Sequence, residues 1–414
     1  MKQNKTLFIG LVWPEPTSSA AGKRILQLVE FFQNRGDEVV FSSAASKTEW
    51  SFDFASTPLS NQNKVQEFPI QLNHSSFNEF VRELKPDIVV YDRFVSEEQF
   101  GWRVSQECPN TLQILDTEDL HFLRSARETA YKKKEAINLY NEIAQREIAS
   151  ILRCDLSLMI SEFEMDLLQN EFNIAPSLLH YLPFLENPNQ WFRLRSTTDF
   201  EDRDDFIFIG NFLHEPNWQT VLHLKKNIWP KIRKKLPGTK LNIYGAYPPQ
   251  KAMDLYNEKE GFLVHGKTGD ALKVISKARI LLAPIPFGAG QKGKFIDAMQ
   301  TGTPIATTSA GREGMFDESI PGIVEDDKIR FIERTIELYQ NKETWQKEQA
   351  TGLKILSEKF DKNLFEEKLN QKITGLQSNL NEHRNRNFIG QILKKNSVSA
   401  LKYMSLWIEE KNKS

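Results

Sequence analysis

Twice along this chain, short apolar strand-like runs alternate with amphipathic helical stretches, and the alternation breaks once, between Pro183 and Asp205. Strand–helix–strand order lays successive strands parallel and places helices over both faces of a sheet, which excludes all-helical and all-β architectures. In the first half, residues 6–12 form a continuous apolar run suited to a strand buried on both faces. Ile25, Leu28, Val29 and Phe32 then recur at helical spacing up to Arg35-Gly36, a helix stop. Residues 38–42, 88–91, 111–115 and 156–160 are the next expected strands, with one long charged helix over 122–152. The second half predicts strands at 206–209, 241–244, 262–265, 280–283, 304–307 and 323–325, then helices over 328–376. Pro183, Pro188 and the polar, charged run to Asp205 mark the boundary. The chain divides into 1–190, 191–365 and a helical tail at 366–414. The carboxyl ends of two doubly wound sheets then face a common cleft, where ligands bind.

Composition removes other classes. With 414 residues, 40% hydrophobic and 26% charged, the chain is long and apolar enough for two packed cores. A net charge of −1 argues against a dedicated nucleic-acid binder. Cys108 and Cys154 alone make no disulfide framework, and a reducing cytoplasm is expected. The early run Leu7–Trp13 is short and ends in Pro14-Glu15-Pro16, which suits a core strand better than a leader. No apolar stretch reaches the roughly 20 residues of a membrane span.

The sharpest segment runs from Pro284 to Met299. A strand ends at Ala283, and a loop with Gly288, Gly290 and Gly293 leads into a helix. Glycines let backbone N–H groups approach an anion, and a helix N-terminus adds positive potential. Lys292 and Lys294 bring two cations, so phosphate or pyrophosphate is the natural guest; a plain turn with solvated lysines is the alternative. It is no Walker loop, since Ser or Thr does not follow the lysine.

From Pro284 through Met315 the sequence resembles retaining, nucleotide-sugar-dependent glycosyltransferases of family 4, of the two-domain GT-B type. Phe287–Met299 with Gly302–Thr307 resembles their donor-binding signature. Phe208–Phe212 with Pro216-Asn217 and Trp229-Pro230, and Leu115–Asp119 with Ser161-Glu162, resemble the two domains of a bacterial branch. The resemblance implies a nucleotide-diphosphate sugar as substrate, no other cofactor, and no metal for the chemical step. Many members carry two acids eight residues apart, one facing the sugar and one the ribose. The second falls on Asp297, which equally suits a helix's first turns as a dipole partner. The first falls on Ala289, which has no such group. Glu313 resembles a further donor-side position, and Gly245 and Lys267 stand where a base could be bordered.

Across the cleft, Gly22 lies in a small-residue turn after the first strand, where a donor could approach closely and where Ser18 or Ser19 serves as helix N-cap. Asp116-Thr117-Glu118-Asp119-Leu120-His121 follows a strand end. Its spacing fits no strong metal signature; Asp116 and His121 are the candidates for positioning an acceptor hydroxyl, with Asp116 alternatively capping the next helix. A retaining transferase of this type is thought to react on one face, the leaving pyrophosphate assisting deprotonation, so catalysis rests on phosphate stabilisation and alignment. The expected activity is transfer of a sugar to a saccharide, lipid-linked or other acceptor, in polysaccharide biosynthesis. Alternatives are a nucleotide-sugar epimerase of the same architecture and a nucleotide-sugar-binding protein without catalysis, which Ala289 keeps open.

Residues 384–414 hold seven Lys or Arg against two Glu, with Phe388, Ile389, Ile392, Leu393, Leu401, Met404, Trp407 and Ile408 at roughly helical spacing. This apolar stripe is expected to dock on the first domain; peripheral contact with the inner face of a membrane is the other possibility.

Overall fold

A computed structural model describes residues 3–57, 59, 64–188, 199–396 and 399–412. Seven parallel strands form the first sheet: β1 (Lys5–Gly10), β2 (Glu38–Ser43), β3 (Gln66–Pro69), β4 (Ile88–Asp92), β5 (Leu112–Asp116), β6 (Leu156–Met159) and β7 (Leu179–Tyr181). Their order is β3-β2-β1-β4-β5-β6-β7. Side chains alternate across this sheet. Leu7 and Ile9 of β1 join Val89 and Tyr91 on one face, while Phe8 joins Ile88 and Val90 on the other. Both faces are covered, which is why these strands read as unbroken apolar runs.

The second sheet has six parallel strands: β8 (Asp204–Ile209), β9 (Leu241–Tyr244), β10 (Phe262–Gly266), β11 (Ala278–Ala283), β12 (Ile305–Thr307) and β13 (Gly322–Val324), in the order β10-β9-β8-β11-β12-β13. Its core gathers Phe206, Phe208, Trp229, Phe262, Phe295 and Trp345. Strand order reverses between β1 and β4 in one sheet and between β8 and β11 in the other. These two switch points are where open α/β sheets leave a crevice at their carboxyl ends.

The boundary expected at 190/191 lies outside the described residues. Beyond the second sheet the chain crosses back: helix Glu366–Ser378 inserts Leu369, Ile373 and Leu376 into the first domain's core. Glu186 and Asp361 pair as a bridge at this crossover, with Glu186 N donating to Phe360 O at 2.8 Å.

The single helix expected over 122–152 is two, His121–Lys133 and Glu142–Arg153. Lys134, at φ +58°, ends the first, and the Asn141 side chain accepts from Ala144 N to cap the second. In the stretch between, residues 134–138 and Tyr140 are exposed and Leu139 is only partly buried, so little packing holds a continuous helix there. Strands β3 and β7 were not expected. β3 is a mostly exposed edge strand ending in proline, and β7 has three residues.

Candidate functional site

Residues 284–292 leave β11 at the second switch point and lead into helix Gly293–Gln300. Gly290 adopts φ +61°, and a Cβ there would lie 2.6 Å from Asp119 Cβ of the first domain. A Cβ at Gly293 would lie 2.8 Å from Ala20 Cβ. Both glycines therefore admit the facing domain as well as shaping a turn. Gly288 O accepts from Arg127 Nη1 at 2.7 Å, and the same guanidinium grips Glu313 in a fork at 2.6 and 2.9 Å. Ala289 is buried against the first domain's core.

Lys292 Nζ donates to Gly290 O and Glu313 O, both at 2.8 Å. Lys294 Nζ donates to Asn217 Oδ1 at 2.7 Å and sits 5.3 Å from the centre of the Phe208 ring. Among the described residues neither ammonium has a carboxylate within ion-pair distance. Burial pulls Lys292 down to about 8 against the opposing field of Glu313. Burial and the like charge of Lys292 pull Lys294 down to about 7. Burial disfavours the charged form of both ammonium groups, and an anion placed beside them would favour it again. Asp297 faces the other way: its Oδ1 is 3.2 Å from Lys23 Nζ, which also reaches Glu186 Oε1 at 3.1 Å. Burial raises the Asp297 carboxyl, and Lys23 opposes that shift.

On the first domain, Asp116 ends β5 and is fully buried. Arg24 clasps it, with Nε 2.9 Å and Nη2 2.7 Å from Oδ1, while Arg24 Nη1 donates to Leu182 O at 2.9 Å. His121 opens its helix with Nδ1 3.1 Å from the Asp119 carbonyl and its ring edge-on to Phe94. Asp119, paired with Arg124 despite burial, is held well below the usual carboxylate range. Gly22 N donates to the N-cap Ser19 Oγ at 3.0 Å, and a Cβ there would press to 2.5 Å from the Glu15 carbonyl carbon. Asp116 and His121 thus sit on adjoining segments but hold different partners.

Three features escaped the sequence. Arg93 and Glu118, just past β4 and β5, both adopt left-handed backbone, at φ +67° and +63°. Non-glycine residues in that region carry strain that concentrates at functional sites. Burial and Asp116 push the Glu118 carboxyl up to about 8, and among the described residues its Oε1 has no hydrogen-bond partner. The third is Glu164. Ser161 caps helix Glu162–Phe172 and Glu164 stands three residues on, a capping-box spacing that the sequence displays. Its side chain turns away from that role: Oε1 accepts from Leu120 N at 3.2 Å and, across the cleft, from Gly290 N at 2.7 Å. A carboxylate of the first domain therefore occupies a glycine-loop amide.

Burial and Asp119 push Glu164 up to about 8. An acid whose folded value lies above its unfolded one binds extra protons when folded, so stability falls as pH rises between about 4.5 and 8. Glu164→Gln keeps the accepting oxygen and removes the ionisation. It should flatten the decline of melting temperature between pH 5 and 9; an unchanged slope would show that Glu164 does not titrate in this window.

At the cleft rim, Lys267 Nζ lies 3.7 Å from the Trp50 ring centre, and Tyr247, which packs on Trp50, donates to Glu15 Oε2 at 2.7 Å. Gly245 packs against the backbone of Gly210.

Residues 203–341, which include this loop and all six strands of the second sheet, match the family model Glycosyl transferases group 1. A 44.6 kDa protein of the cps region of Klebsiella pneumoniae is 24% identical over 163 residues, which cover 37% of this chain and 42% of the relative. The chain thus spans about two fifths of that relative's length in the match. Anabaena HepE, in complex with UDP and glucose, superposes with a TM-score of 0.63 at 12% identity, covering 90% of this chain and 100% of its own. Sucrose-phosphate synthase from Thermosynechococcus elongatus does so with a TM-score of 0.64 at 14% identity, covering 90% and 99%. The fold is GT-B: two Rossmann-like domains facing across a cleft.

Proposed function

We propose that this protein is a glycosyltransferase that binds a nucleotide-diphosphate sugar at the glycine loop and transfers the sugar to an acceptor held by the first domain. One observation carries the proposal: Lys292 and Lys294 stand unpaired by carboxylates at the start of a helix, on the switch point of one sheet, facing the strand ends of the other. Donors, dipole and cations converge there on the charge that develops as a nucleoside diphosphate departs. The group 1 family match over this domain supports the reading, as does UDP in the similarly folded Anabaena protein.

In this mechanism the diphosphate enters beside Gly288 and displaces the first-domain contacts at Gly290 and Gly293, Glu164 on the Gly290 amide among them, and Lys292 and Lys294 neutralise it. Asp297 takes the ribose once Lys23 yields, and Glu313 is oriented by Arg127. Gly22 keeps the facing turn close. Asp116 and His121 align the acceptor hydroxyl: Asp116 through the segment that Arg24 anchors, His121 through its partly accessible ring. Reaction on one sugar face gives retention, as the resemblance to family 4 implies, and the acceptor is a saccharide or lipid-linked glycan of polysaccharide biosynthesis in the cytoplasm. No metal and no cofactor beyond the nucleotide sugar take part in this scheme.

A thermal-shift panel of UDP, GDP and their sugars tests the proposal. The matching nucleotide at about 100 times its Kd should stabilise the protein by about 2.7 kcal/mol. A panel in which nothing raises the melting temperature overturns it. With the donor identified, turnover without acceptor would instead indicate an epimerase, and the anomeric configuration of a transfer product reads out retention.

A further inference from the structure

The last two helices are mounted with their polar sides inward. Helix Ser399–Lys411 buries Ser405 (5% exposed) and Glu409 (6%). Arg103 Nη2 donates to Ser405 Oγ at 2.9 Å, and Ser75 N donates to Glu409 Oε1 at 3.0 Å. Tyr403 (67%) and Trp407 (62%), one turn apart, face solvent with Met404 between them. Helix Phe388–Asn396 repeats the pattern. Gly390 packs on the backbone of Leu152, and Lys394 lies inward, 3.8 Å from Asp155, while Phe388 (66%) and Ile389 stand out. An ordinary surface helix hides such aromatics and shows such charges to water. Inverted twice in adjacent helices, the arrangement marks a face built to be covered.

We infer that what covers it is the surface of an anionic lipid bilayer. The charge on the page selects this occupant. The segment 384–414 carries seven Lys or Arg against two Glu in a chain whose net charge is −1; of these, Arg384 and Lys394 turn inward to Asp155 and do not belong to the outward face. Lys395 and Lys411 are exposed on the same two helices, as is Arg386 at the end of the preceding helix Leu380–Arg386, where it pairs with Glu382, and Lys411 Nζ sits 5.2 Å from the Trp407 ring centre. Trp and Tyr beside Lys and Arg match the headgroup layer, where rings sit in the apolar boundary and cations meet lipid phosphate. A second copy of this chain would instead set one basic tail against another. Among the described residues no helix is long and apolar enough to cross a membrane, so the contact is one of lying on the surface. The helices rest on the first domain, on Glu142–Arg153 and Arg93–Glu107, and the inference does not depend on what the cleft transfers.

Co-sedimentation of the full chain with vesicles tests it. The protein should pellet with phosphatidylglycerol–phosphatidylcholine vesicles, lose that binding as salt is raised, and stay in solution with phosphatidylcholine alone. The double variant Phe388→Ser/Trp407→Ser, at exposed positions, should keep the wild-type melting temperature and bind about tenfold or more weakly. Lys395→Glu/Lys411→Glu should weaken binding by a similar factor. Failure of the wild type to pellet with anionic vesicles, or unchanged binding by both variants, overturns the inference. So does a solution dimer that Phe388→Ser/Trp407→Ser dissociates, because the face would then be an interface between copies.

Discussion

Arg24→Met should destabilise the first domain by about 3–5 kcal/mol, the cost of leaving one member of a buried ion pair uncompensated. For a domain of this size that is a fall of roughly 6–20 °C in its melting transition, readable by calorimetry. Arg24 and Asp116 are 1% and 0% exposed, and the guanidinium ties helix Ala20–Asn34 to the end of β5 and, through Leu182 and Pro183, to the chain after β7. Burial already raises the Asp116 carboxyl, with Arg24 as the main opposing influence. Without Arg24 the folded value rises further, so the deficit should grow as pH rises through the raised wild-type value and shrink in acid. Arg24→Met/Asp116→Leu should recover part of the loss, since the orphaned charge goes with its partner. The series also bears on Asp116 in the proposed reaction. If Asp116→Asn abolishes transfer while the melting temperature holds, Asp116 touches the acceptor; if both fall together, it acts by holding the strand end.

What could be read before folding divides along physical lines. Strands buried on both faces announce themselves as apolar runs, and the glycine-rich turn after Ala283 carries its chemistry in contiguous residues. The partners of that turn cannot be read this way. Arg127 and Glu164 reach Gly288 and Gly290 from 161 and 126 residues away, and only the docking of two sheets brings them together. Ser161 and Glu164 stand at capping-box spacing, but spacing does not report a side chain's use against a second domain. Ala289, which lacks the acid of the resembled family, lies against the first domain's core beside that same carboxylate. In the tail, helical spacing predicts the helix but not which face docks. The stripe containing Met404 and Trp407 was expected to turn inward, yet Ser405 and Glu409 do so, because Arg103 and the Ser75 amide supply them with partners. A buried polar group with its hydrogen bonds met competes well with an apolar one, and periodicity alone does not report those partners.

Lys294→Met should weaken binding of the donor nucleotide by about 10- to 100-fold, the range of about 1.5–3 kcal/mol for a hydrogen bond to a charged group. The pH dependence makes this a test of mechanism as well as of contact. Burial and the charge of Lys292 pull the ammonium to about 7, so near neutrality much of it is deprotonated. A diphosphate beside it favours the charged form, so binding must take up protons, and affinity should fall as pH rises above 7 toward the higher value of the bound state. Lys292, at about 8, contributes with the same sign one unit higher. Calorimetric titration with UDP in buffers of different ionisation heat should therefore show proton uptake between pH 7 and 8, and Lys294→Met should lose the lower part of that uptake along with the affinity. Lys294→Arg should regain affinity but not the pH slope, because a guanidinium stays charged throughout. Its position over Phe208 and against Asn217 gives a replacement cation the same two neighbours. Equal affinity in Lys294→Met and the wild type across pH 6 to 9 would place the diphosphate elsewhere and remove the glycine loop from the proposed reaction.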